Sequence, residues 1–263
     1  MSWARSRLGR GARAARACTL ALLAWSLHAG AAAPPLRLLV TTGASLPFAD
    51  ISPGSAEARL LGGIVHDWGL ALAQRLGREP RFLLMPARRV GQQLREGSFD
   101  VQCFENPQWY GPQDEAWIEW LPRPLMEVVE ELVSMPGTPL VRHLEQLQGK
   151  TVGVVTGYRY PLLDPLFEAG RMERSLAHNE TRLLQMQRLG RADYSVISRL
   201  QLDYARATDP KLRTLIASPL VVSRTALYCL RLRSSPIPLS ELAAAQQALL
   251  NEGRLEAILQ RYR

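Results

Sequence analysis

Few side chains of this 263-residue chain have the type and setting for chemistry. Glu105 and Asn106 stand directly behind the apolar run that starts at Phe99 and ends at Phe104. An acid at that place could exchange a proton or accept a hydrogen bond from a small molecule. Trp109 and Tyr110, a few residues on, could stack on a planar or cationic group. A second place is Thr156-Gly157-Tyr158, at the end of the β-branched run Thr151-Val152-Gly153-Val154-Val155. Backbone N–H groups at such a turn, ahead of a helix, suit an anionic group, and Tyr158 adds a ring. Ser198, behind the run Tyr194–Ile197, can donate a hydrogen bond or cap the helix that follows. His66, His143 and His178 have no histidine or cysteine at metal-ligand spacing. There is no Gly-x-Ser-x-Gly elbow, phosphate-binding glycine loop or Cys-x-x-Cys. These residues predict binding of a small molecule, with no catalytic residue, no cofactor and no metal.

The elements that must position these residues alternate strand and helix. Strands are predicted at Leu36–Thr42, Phe82–Met85 and Phe99–Phe104. Between them, Val65, Trp68, Leu72 and Leu76 recur at helical spacing, and a second helix carries Val90 and Leu94 as far as Gly97. This β-α-β-α-β order is the signature of a parallel sheet with helices on its faces, where ligands bind at the carboxyl ends of strands. An aromatic loop follows, then an extended segment, Val128–Met135. A second cycle begins at Val152–Val155. Helices are expected at Pro161–Ala169, Thr181–Leu189 and Leu200–Ala207, and strands at Tyr194–Ile197, Leu212–Ile216 and Ala226–Leu232. Ser240 is placed to N-cap a helix buried through Leu242, Ala245 and Leu249, and Leu255, Ile258 and Leu259 mark a last one. Two α/β units joined by extended segments imply two lobes around a cleft.

Residues 1–31 read as a secretory signal peptide: five arginines and no acid, an apolar run from Ala17 to Leu27, and the small-residue site Ala29-Gly30-Ala31. The run is too short to span a bilayer comfortably, and no later one reaches about 18 residues. Cleavage after Ala31 would leave a soluble, monomeric, periplasmic chain of about 232 residues, enough for two modest cores. It would also lower the net charge from +8 to about +3, and the arginines are scattered, so nucleic acid is not an expected partner. Cys103 and Cys229 remain, each in an apolar run, where buried free thiols are expected although export permits a bridge.

The ordered set Pro47-Phe48, Gly63-Ile64-Val65-His66-Asp67, Leu94–Asp100, Leu147–Val154 and the closing Ala248–Tyr262 resembles bacterial solute-binding proteins of family 3. These are type II periplasmic binding proteins that serve ABC importers of amino acids. The resemblance covers the chain beyond residue 31. It implies an α/β fold of two lobes, each a mostly parallel sheet flanked by helices, with the ligand cleft between them. Lobe 1 would be discontinuous, residues 36–128 plus 222–263, with residues 133–218 as lobe 2. It implies hinge closure over a solute delivered to an importer's membrane subunits or presented to a sensor. Phe48, Arg89 (in Pro86-Ala87-Arg88-Arg89) and Thr156-Gly157-Tyr158 fall at its ligand positions. The chain departs from the family where an amino acid would be anchored. The loop after Phe104 holds no arginine for the carboxylate, and Ser198 stands where an acid would take the ammonium. Unpaired charges in a closed cleft cost several kcal/mol, roughly, so a free α-amino acid is not the expected solute. A polar, aromatic or anionic molecule is. A sensory or protein-interaction module without transport, and a lyase or dehydratase acting through Glu105, are the alternatives.

Overall fold

β1 (Leu36–Thr41) reads LRLLVT and buries Leu36, Leu38, Leu39 and Val40, a strand covered on both faces. The computed structural model describes residues 33–52 and 58–263. The signal-like segment and Cys18 lie outside the described residues. β2 (Asp50–Ile51) and β3 (Leu60–Gly62) form a small antiparallel pair, and α1 (Ile64–Arg75) follows. β4 (Pro80–Met85), α2 (Val90–Glu96) and β5 (Val101–Glu105) complete the first cycle. β1 pairs in parallel with β4 on one side and β5 on the other, so the chain reverses its strand order at β1.

β6 (Ile118–Trp120) and β7 (Met126–Ser134) lead to the second cycle. That cycle runs β8 (Thr151–Val155), α3 (Asp164–Glu168), β9 (Glu173–Ala177), α4 (Glu180–Arg188), β10 (Tyr194–Ser198) and α5 (Arg199–Thr208). β8 is flanked in parallel by β9 and β10, repeating the arrangement around β1. β11 (Ile216–Leu232) then returns, and α6 (Leu239–Asn251) and α7 (Arg254–Leu259) pack with α1 over the first core through Leu242, Leu249, Leu255 and Ile258. Separate cores line the second cycle around Val152, Val154 and Tyr194 and around Leu183, Ile197 and Leu202.

The sheet order is β4-β1-β5-β11-β7-β10-β8-β9, with β6 also on β11. β11 is one strand of 17 residues; of the strand expected at Leu212–Ile216 only Ile216 belongs to it, because Pro210–Leu212 forms a 3₁₀ turn, and the strand expected at Ala226–Leu232 is its last part. Its register against β7 slips twice, between Ala217 and Val221 and between Val221 and Ser223, a bent strand that the sequence punctuates with Pro219. Other expectations shift for local reasons. The helix expected at Pro161–Ala169 is confined to Asp164–Glu168, with Pro165 in its first turn. Ser240 lies inside the first turn of α6, whose N-cap is Pro238. β9 went unrecognised because its sequence ERSLA has little apolar alternation.

Two buried links brace the first lobe. Asp100 accepts hydrogen bonds from the backbone and guanidinium of Arg37 and from Ser235, joining the start of β5 to β1 and to the turn after β11. Burial would raise its carboxyl, but those donors hold it below the ordinary range. Cys103 and Cys229 are disulfide-bonded, not free: they are direct partners in the β5–β11 ladder, with Cα atoms 3.9 Å apart. The pairing arises because β11 returns beside β5 after the whole second cycle, which local sequence does not encode. The bridge closes a loop with a sequence separation of 126. Replacing both cysteines with serine is expected to cost about 2–5 kcal/mol of unfolding free energy, measured by urea titration.

Candidate functional site

The carboxyl ends of β1 and β5 form one wall of the site. After β1 the chain turns through residues 42–49 onto the start of α1, where the Ile64 N–H donates to the Pro47 carbonyl and the Val65 N–H to that of Phe48. Gly63 makes this docking possible. Its φ is +103°, and a β-carbon there would lie 2.5 Å from the Phe48 carbonyl oxygen. Phe48 is half-buried and meets Phe104 edge-on at 6.1 Å. Phe104 has φ +65°, a strained conformation for an aromatic residue, at the point where β5 ends. The kink puts Glu105 on the same side as Gln102. Glu105 accepts from the Gln102 amide at 2.6 Å and from the Tyr110 hydroxyl at 3.2 Å. Tyr110, Trp120 and Tyr228 continue outward as edge-on ring contacts of 5.4 and 6.3 Å. Burial, opposed by those two neutral donors, raises the Glu105 carboxyl to about 7.

The opposite wall is built by β8, β10 and α4. β8 ends at Val155; Thr156 donates both its N–H and its hydroxyl to the Ala177 carbonyl, and Gly157 turns the chain with φ +87°. Tyr158 leaves 49 % of its surface open, and its phenol feels the charge of Glu180. Glu180 is the first residue of α4, behind the N-cap Asn179, and is buried. Glu130 of β7 lies in register with Ser198 of β10 and Ser223 of β11, and accepts from the Ser223 hydroxyl at 2.7 Å. Burial and the charges of Glu180 and Glu130 push the phenols of Tyr158 and Tyr160 well above the ordinary range. The two walls meet where the Ser45 hydroxyl, from the loop after β1, donates to Glu180 at 2.9 Å in a buried contact.

Thr156, Gly157 and Tyr158 are consecutive on the second wall, and Tyr158 reaches the acidic group. Phe48 and Glu105 belong to the first wall, on either side of Phe104. Asn106 is committed to the scaffold: its amide donates to Ala226 at 2.7 Å and its oxygen caps the short 3₁₀ turn at Pro107–Trp109. Ser198 is likewise the N-cap of α5 and donates to the Gln201 side chain. Trp109 is 58 % exposed and Arg89 is exposed; among the described residues neither side chain forms a hydrogen bond, ion pair or ring contact with another of the expected site residues. Trp117 also lies at the surface. Ser45, Glu130, Glu180 and Ser223 were not legible. Asn179-Glu180 reads as an ordinary cap and first-turn acid, and Glu130 as one of several acids in a strand. A depression of about 260 Å³ beside Phe167, Glu168, Met172 and Arg174 shares none of these residues. Among the described residues no group of three or more histidines, cysteines or acids could hold a metal ion.

No known protein-family pattern and no curated protein sequence matches the chain. Solved structures do. The GluR0 ligand-binding core in complex with L-glutamate superposes with a TM-score of 0.67 at 18 % identity, covering 87 % of this chain and 97 % of that one. A probable amino-acid ABC transporter extracellular-binding protein, YtmK of Bacillus subtilis, gives 0.69 at 14 % identity over 87 % and 97 %. A histidine kinase sensor domain with similarity to periplasmic binding proteins gives 0.66 at 17 % over 87 % and 95 %. The chain has the two-lobed type II periplasmic binding protein fold. The loop after β1 and the start of α4, which follows β9 beside β8, meet in the buried Ser45–Glu180 contact between segments 135 residues apart.

Glu105 has a testable consequence for the binding-protein fold. Its folded carboxyl, near 7, holds a proton more tightly than the ordinary 4.5 of an unfolded chain. Stability contributed by this proton is present below about 4.5 and lost as pH rises through about 7. Glu105→Gln is expected to flatten that decline and to be more stable than wild type at pH ~8 by about 1–3 kcal/mol. Urea unfolding at pH ~5 and ~8 measures the difference.

Proposed function

We propose that the protein is an exported solute-binding protein that closes its lobes, residues 36–128 with 222–263 and residues 133–218, over a small polar solute. It then delivers the solute to an ABC-type importer or presents it to a sensor. The buried hydrogen bond from Ser45 to Glu180 carries the reading, because it joins the two walls at the carboxyl ends of their central strands. The amino-terminal signal-like segment supports export, and no helix of the described residues is long and apolar enough to cross a membrane.

The chemistry of the second wall narrows the solute. Among the described residues, Glu180 receives a hydrogen bond from Ser45 and Glu130 one from Ser223, and no cationic side chain is paired with either, while Arg89 is exposed. A solute that presents a protonated nitrogen to the acids and a flat or apolar part to Tyr158 would satisfy both. An anionic solute would need Arg89 to reach in. Thermal-shift screening of the full chain against a metabolite library is expected to find stabilising solutes. For such a solute, Tyr158→Ala and Glu180→Gln are each expected to weaken binding by about 1–3 kcal/mol, measured calorimetrically. Loss of affinity in Arg89→Ala alone would instead assign an anionic solute. Stabilisation by no solute at all would overturn the binding function. The second reading is a lyase on this fold, favoured by the near-neutral carboxyl of Glu105. Turnover abolished by Glu105→Gln would establish it.

A further inference from the structure

We infer that the Cys103–Cys229 bridge and the Asn106 side chain are positioning groups for Glu105. They tie the chain to β11 on both sides of Phe104, and so hold the turned backbone that keeps the Glu105 carboxyl beside Gln102 and Tyr110. The inference concerns the protein without solute and stands apart from the proposed function.

The register supplies the reason. Along β11, Tyr228 and Cys229 are consecutive, yet their partners on β5 are Glu105 and Cys103. Phe104 is therefore the extra residue of a bulge, and its φ of +65° lies in the left-handed region that glycine favours. In an unbroken strand successive side chains alternate, so Glu105 would share a face with Val101 and Cys103. Those two are buried in the first core with Leu227 and Cys229, a poor place for a carboxyl. The bulge instead turns Phe104 into that core beside Cys103 and sends Glu105 to the side of Gln102.

A left-handed backbone at a bulky aromatic residue is costly, and persists only where the surroundings over-determine it. Here two ties flank it. On one side Cys103 is bonded to Cys229. On the other, the Asn106 amide donates to the Ala226 carbonyl at 2.7 Å. The Glu105 carboxyl takes its own hydrogen bonds from Gln102 on β5 and Tyr110 in the loop beyond, with Tyr228 opposite it on β11. The ties therefore act on it through Phe104. Cutting one lets Phe104 relax towards negative φ, which swings the Glu105 carboxyl away from Gln102 and towards water.

The test is nuclear magnetic resonance of the full chain carrying labelled glutamate and glutamine, with Glu105→Gln identifying the carboxyl signal. Wild type is expected to show a cross-peak between the Gln102 amide protons and the Glu105 side chain, and a Glu105 carboxyl titrating at about 7. In Cys103→Ala/Cys229→Ala the cross-peak is expected to vanish and the midpoint to fall towards the ordinary 4.5. A bridge that only stabilised the fold would move neither signal in the folded protein. Asn106→Ala keeps the bridge; it is expected to weaken the same cross-peak, and it decides the matter should the cysteine variant not fold. A wild-type cross-peak and midpoint in the folded cysteine variant would overturn the inference. So would the same result in Asn106→Ala where the cysteine variant does not fold. None of these signals reports solute stabilisation, so the two readings fail separately.

Discussion

The long antiparallel pairing of β7 with β11 is the constraint on which the rest of this structure depends. Both strands belong to the ladder that joins the two cycles of parallel strands, since β11 also pairs β5 and β7 also pairs β10. A strand shared by two sheets must bend, and the slips in register between Ala217 and Ser223 place the bend in β11. Each cycle is built around its own core, and the ladder of β7 and β11 connects them. The disulfide anchors the lobe 1 end of this ladder, directly behind Phe104 and Glu105.

The period of two along β7 explains how one acidic strand serves both scaffold and cleft. Glu131 faces α5 and takes Arg199, whereas its neighbour Glu130 faces the opposite way and finds only Ser223. Elsewhere the scaffold neutralises its acids: Asp100 has Arg37, and Glu119 has both Arg231 and Arg233. The contrast matters more than the number of acids. A buried carboxylate left without a cation is costly, and such groups collect where a fold binds or reacts. Here they collect at the ends of the strands around β8 and in the kink after β5.

What the sequence disclosed depended on the range of the interaction involved. Alternating apolar runs and helical spacing are local, so the α/β class, the two cycles and the turn at Thr156-Gly157 were legible before any coordinate. The continuity of β11 was not, because Pro219 and the polar Ser218 and Ser223 interrupt its apolar pattern while the backbone keeps pairing. The cysteine bridge and the Glu130–Ser223 and Ser45–Glu180 contacts join residues separated by 93 to 135 positions. Nothing in a local window marks them. Asn106 and Ser198 show how a local partner competes with a binding role. Their types suit a binding site, but a nearby backbone N–H claims each side chain first.

The position of Ser45 sets a condition on any solute. A ligand shifts an equilibrium between open and closed lobes only by the difference in its affinity for the two. On the proposed function, Ser45 already joins Glu180 between the two walls, so a solute that merely replaced this hydroxyl would gain no preference for closure. It has to touch both walls at once, adding a contact near Phe48 or Glu105 to one near Tyr158. The half-open face of Tyr158 and the strained backbone of Phe104 are the two surfaces that would change on such contact. Under the proposed closing of the lobes, a solute spanning them would favour closure, while a smaller one that occupied only the acidic wall would not.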